Sequence, residues 1–156
     1  YKIFINLKYK NLIFFIRIVI LINFIMIISW SYKNHPYQNV YLNYFSEKYS
    51  NKFEKDYWGL TNLNAIRYIL SNDKRNKIVI VGVENSRIDF AMLKLTQSEK
   101  DRIILKKIEE VNPKEVNYYI SHFNDNKNVD YYINNGFKII KAIKVGNEEI
   151  NIIFTN

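Results

Sequence analysis

Residues 12–30 read LIFFIRIVILINFIMIISW, and only Arg17, Asn23 and Ser29 among them are polar. A helix needs about 20 apolar residues to cross a bilayer core, so the stretch reads as a transmembrane helix. Arg17 lies about one and a half turns from its start, near enough for the stem to lift the guanidinium to the interface. Trp30 and Tyr32 stand at the far end, where amphipathic rings favour the headgroup layer. Two rivals compete with this reading. A buried core helix would be unusually long and β-branched for a small soluble domain. A signal peptide would share the basic leader of Lys2, Lys8 and Lys10, yet the exit SWSYKNHPY has no small-x-small cleavage site. The expectation is therefore a retained span. The leader lysines and Arg17 place its N-terminal side in the cytoplasm, although Lys33 and Lys48 lie beyond the other end. Residues from about 32 onward are then outside the cytoplasm, in a periplasmic or other exoplasmic compartment.

The whole chain has 156 residues, room for one domain with a core and little more. It begins on Tyr1 rather than Met, so it is read as a piece of a longer protein. Net charge is +8, a balance that suits nucleic acid or an anionic membrane surface. The lysines are spread along the chain, however, and no arginine-rich run interleaves with aromatics, which argues against nucleic acid as a partner. With no cysteine, disulfides, thiol catalysis and Cys-ligated metals are excluded.

Three segments follow from this: a leader and span over 1–32, an aromatic connector over 33–60, and a small α/β domain over 61–156. The domain opens on a short helix, with Thr61 as its expected N-cap and Leu63, Ile66, Ile69 and Leu70 at helical spacing. The run SNDKRNK ends it. IVIVGV over 78–83 reads as a buried strand. Ile88, Ala91, Met92 and Leu95 repeat as on a helix. Residues 102–108 are ambiguous: Ser98 with Asp101 resembles a helix-opening capping box, whereas Ile103, Ile104 and Leu105 suit a strand, the preferred reading. After Pro113, residues 116–121 form another strand, and 129–135 a helix stopped by Gly136. Residues 138–145 and 148–155 flank Gly146-Asn147 as a β-hairpin, with Ile150, Ile152 and Phe154 on one face of the last strand. Strands alternating with short helices predict a mixed sheet in an α/β domain.

Two dense motifs occupy the connector: HPYQNVYLNYF over 35–45 and FEKDYWGL over 53–60. Their order behind a span, with a small α/β domain after them, resembles the C-terminal end of bacterial polytopic membrane glycosyltransferases. These are the group similar to protein O-mannosyltransferases and aminoarabinose transferases, with the GT-C membrane fold. The matching positions are His35, Pro36, Tyr37, Gln38, Tyr41 and Asn43, then Phe53, Glu54, Asp56, Tyr57, Trp58 and Gly59. The NYYISHF strand and the final hairpin look similar as well. The resemblance covers residue 12 to the end. It implies a parent enzyme that moves a sugar from a polyprenyl-phosphate carrier to an acceptor on the exoplasmic side. It also implies that the catalytic carboxylate belongs to an earlier loop of that parent, so no catalytic residue is carried over and the segment alone is inactive. No cofactor is implied.

The residues themselves allow two readings each. Glu54 and Asp56 would share a face of a strand and could act as acid and base or bind a divalent ion. Alternatively they form an acidic turn, with Asp56 capping the next helix or accepting backbone hydrogen bonds. His35 suits a proton carrier or phosphate contact, or a structural hydrogen bond beside Pro36. Tyr37, Tyr41, Tyr44, Tyr57 and Trp58 could stack on sugars or pack the connector onto the domain. Lys33, Lys48, Lys52 and Lys55 could attract lipid phosphates or form a solvated face. His122 has no partner for a metal site. Gly82 stands alone, so no Rossmann phosphate loop is present, and neither G-x-S-x-G nor H-E-x-x-H occurs. The competing function is a membrane-anchored interaction module with residues 12–30 as a signal anchor.

Overall fold

The computed structural model describes residues 7–41, 56, 58–82, 87–122 and 126–156. It divides into two compact units, residues 1–41 and 42–156.

The first unit is dominated by helix α1, Leu7–Lys33, about 40 Å long. The helix extends beyond the apolar run at both ends and carries its basic residue Lys33 in the last turn, where it complements the helix dipole. Its large side chains, among them Phe14, Phe15, Ile20, Phe24 and Met26, are exposed all round. A helix apolar on every side suits lipid rather than a water–core boundary. No part of its most apolar window is buried, and it is long and apolar enough to cross a membrane. Asn23 meets the demand for internal satisfaction: its Nδ2 donates to the Val19 carbonyl at 3.1 Å. A short 3-10 turn, Gln38–Val40, follows.

The second unit is a mixed five-stranded sheet with helices on both faces. Helix α2, Asn62–Asn72, leads into β1, Ile78–Gly82. Helices α3, Ile88–Leu93, and α4, Gln97–Asp101, carry the chain over to β2, Ile103–Lys106. Then come β3, Tyr118–His122, α5, Asn126–Asn134, and the hairpin of β4, Lys138–Val145, with β5, Glu148–Thr155. The order is β2-β1-β3-β5-β4. β1 is parallel to both β2 and β3, whereas β5 is antiparallel to β3 and β4.

Alternation along the strands builds two cores. One face presents Ile78, Ile80, Ile120 and Ile153 to Ile66 and Ile69 of α2 and to Ile88 and Ala91 of α3. The other presents Val81, Tyr119, Ile152 and Phe154 to Tyr132 and Phe137. On that face Tyr119 meets Phe137 edge-on at 4.8 Å between centroids. The expected apolar face of β5 is buried, and Ile153 adds burial on the opposite face. Ile150, Ile152, Ile153 and Phe154 are all buried, because β5 is interior to the sheet and covered on both sides.

Two local readings also move. The helix opened by a capping box uses Thr96 and Glu99, not Ser98 and Asp101. Glu99 N–H donates to Thr96 Oγ1 at 3.3 Å and Thr96 N–H donates to Glu99 Oε2 at 2.8 Å. The resulting helix is short, and the strand preferred for the ambiguous run begins just after it at Ile103. The third strand starts at Tyr118, since Pro113–Glu115 takes up a 3-10 turn that ends on Val116. The final hairpin matches its expected span. Gly146, at φ 60°, supplies the positive φ of a glycine-first two-residue turn.

Candidate functional site

Asp56 of the second motif is buried and forms the hub of the α2 N-terminus. Its Oδ1 accepts the Leu60 N–H at 2.8 Å, and its Oδ2 accepts the Thr61 N–H at 2.9 Å. The Thr61 hydroxyl donates to the same Oδ2 in a short hydrogen bond. A backbone bond from Gly59 N–H to the Asp56 carbonyl, 2.8 Å, closes the loop, and Gly59 adopts φ 64°. That left-handed conformation explains a glycine at the end of D-Y-W-G. Thr61 itself sits in a helical conformation and makes no side-chain cap. Asp56, upstream, accepts the amides of the turn that leads into α2. With both oxygens committed to the turn, the geometry matches the acceptor reading of Asp56 rather than that of an acid or base.

The hub is tied to the sheet. Asn151 of β5 donates from Nδ2 to Thr61 Oγ1 at 2.8 Å and to Asn62 Oδ1 at 2.9 Å. Thr61, Asn62 and Asn151 are fully buried. Trp58, by contrast, is 59% exposed. Phe53, Glu54 and Tyr57 lie outside the described residues, and so does the pairing of Glu54 with Asp56.

The described part of the first motif, His35 to Tyr41, belongs to the other unit. Gln38 Nε2 and His35 Nδ1 are hydrogen-bonded at 2.7 Å. The His35–Pro36 peptide is cis. Asn34 Nδ2 returns to the Trp30 carbonyl at 2.9 Å, and the Tyr37 N–H reaches the Asn34 carbonyl at 2.6 Å, so the end of α1 is closed by its own exit turn. Tyr41 folds back on Trp30, edge to face at 5.1 Å between centroids. His35 and Gln38 remain exposed and Tyr37 half-buried. Asn43, Tyr44, Lys48, Lys52 and Lys55 are outside the described residues.

Sequence reasoning passed over a polar cluster at the other end of α2. Asp73 is buried and receives the Arg75 guanidinium from Nε at 2.8 Å, with Tyr118 Oη donating at 3.0 Å. Hydrogen bonding from Arg75, helped by Tyr118, holds the Asp73 carboxyl down to about 2. Burial, then the bond to Asp73, pushes the Tyr118 phenol up. Arg102 reaches from the start of β2 to the carbonyls of Leu70, at 3.1 Å, and of Asp73. A cation on the last carbonyls of a helix complements its dipole. The D-K-R spacing after α2 was the available signal, but it read only as a helix stop.

No group of three His, Asp or Glu side chains gathers among the described residues to hold a metal. Among the described residues, each motif contributes a turn: His35 to Tyr41 closes the end of α1, and Asp56 with Trp58 to Leu60 leads into α2. No family model, curated protein or solved structure matches this chain.

Proposed function

We propose that this chain is the last membrane span and exoplasmic domain of an integral-membrane glycosyltransferase that draws on a polyprenyl-phosphate-linked sugar. The observation that carries the reading is the ordered pair of motifs, HPYQ-x-x-Y-x-N then F-E-x-D-Y-W-G, between an apolar helix and an α/β domain. In this reading the chain positions rather than reacts: α1 anchors, the exit turn at His35–Tyr41 leaves the membrane, and the Asp56 hub starts the domain. The chemistry belongs to parts of the parent enzyme before residue 1. Transfer of a labelled sugar from a polyprenyl-phosphate donor by the membrane-embedded parent, encoded by the open frame upstream of the Tyr1 codon, tests it. A start codon a few codons upstream, with no further spans, would overturn it.

A membrane-anchored interaction module is the second reading, favoured by the purely structural use of Asp56. Both readings put the domain on the exoplasmic side, and the cysteine-free chain makes that measurable. Asn76 is exposed, so an Asn76→Cys variant in intact cells should react with a membrane-impermeant maleimide. Labelling only after permeabilisation would reverse the topology.

A further inference from the structure

Arg17 is the single charged side chain of α1 between Lys10 and Lys33. The helix contains no Asp or Glu, and Arg17 is exposed with no ion-pair partner among the described residues. Asn23, the other strongly polar group, is satisfied by Val19 of its own helix. A guanidinium in hydrocarbon needs an anion, and α1 supplies none.

The helix geometry says where that anion stands. Side chains on an α-helix lean toward its N-terminus. Arg17 is about 8 Å from the start of the apolar run at residue 12, but about 20 Å from Trp30. The lean and the shorter distance both direct the guanidinium to the N-terminal interface. Lys10 stands seven positions earlier, which returns to nearly the same face two turns up, and it too is exposed. Resting on the membrane reading above, we infer that Arg17, with Lys10 over it on the same face, binds a phospholipid phosphate in the leaflet at the N-terminal end of α1. The planar guanidinium fork matches two phosphate oxygens, whereas Lys10 adds charge without directional demand. The site faces away from the exoplasmic leaflet, so the ligand is a bulk phospholipid. It fixes the depth of α1 against sliding, since withdrawal toward the domain would drag the guanidinium into hydrocarbon.

The test uses the full chain with its arginines carbon-labelled at the guanidinium, in vesicles of phosphatidylcholine and phosphatidylglycerol and phosphate-free buffer. Carbon–phosphorus dipolar recoupling then reports contact with lipid phosphate, and subtracting the spectrum of Arg17→Lys isolates Arg17. The expected result is a dephased Arg17 signal at hydrogen-bonding range, N to O about 2.8 Å, that is missing from the variant. A chain that stays in the vesicles through an alkaline carbonate wash but shows no dephasing at Arg17 overturns the inference and leaves the span intact. That outcome would point to a carboxylate of another helix as the partner. Loss of the chain in the wash overturns the membrane reading and this inference with it.

Discussion

Asn151 and Thr61 are 90 positions apart in the chain and 2.8 Å apart in the fold. The bond joins the last strand to the first turn of the domain, and Asp56 completes the relay by accepting the Thr61 hydroxyl. Asn151→Leu removes a buried donor that serves both Thr61 Oγ1 and Asn62 Oδ1. We expect a loss of about 1–3 kcal/mol, seen as a lower urea midpoint at unchanged slope. Asn151→Asp should cost more, because it sets a carboxylate against the Asn62 carbonyl oxygen.

Asp56→Asn replaces one acceptor by an NH2 that faces donors. The Thr61 N–H and hydroxyl both point at Oδ2, so one orientation of the amide clashes and the other starves Leu60. A loss of about 2 kcal/mol and a lower folded yield are expected. In the parent enzyme, turnover should fall only as far as folded yield does. Wild-type yield with abolished turnover would make Asp56 a reacting residue instead.

Acid should release the Asp73 clamp. Asp73 is depressed from its ordinary 3.8 to about 2 in the folded chain. The unfolded chain therefore takes up the proton first, and the stabilisation, complete above about pH 4, is lost as pH falls through 2. Arg75 is half exposed, so its contribution is screened, and the loss is on the order of 1–2 kcal/mol. Unfolding midpoints measured from pH 5 to 2 should fall more steeply for the wild type than for Asp73→Asn.

Arg102→Ala should destabilise the domain by about 2 kcal/mol, since the carbonyls of Leu70 and Asp73 lose a charged donor. Arg102→Lys should restore only part of this, because one ammonium cannot span both carbonyls and that of Arg75. Amide exchange in the last turn of α2 would report the change, with the greatest acceleration near Leu70.

The difference between what was legible and what was not follows the range of the forces involved. Periodicity is local: α2, β1 and both hairpin strands could be read because each element's burial pattern lies within a few residues of itself. The Thr96–Glu99 box was equally local and was missed by two positions, since Ser98 and Asp101 present a similar pattern. The apolar face of β5 is legible in its alternation, but its interior place in the sheet is not, because a strand's position in the sheet is not written in the strand. The connector was legible in its order of motifs, but the partners of its residues were not. The sequence favours a capping or backbone-accepting Asp56 over acid–base work, but which three donors it takes is set only in the fold.

By itself, the sequence determined an apolar helix long enough to cross a bilayer, a glycine-turned terminal hairpin, and the absence of any thiol chemistry. Each rests on composition or on spacing along one element. Only the tertiary structure decided that β5 lies between β3 and β4, that Asn151 secures the α2 turn, and that Tyr118 and Arg75 converge on Asp73. Those contacts join residues dozens of positions apart. They exist because burying a polar group without a partner is costly, and the chain meets that cost with donors from whichever element the packing brings near.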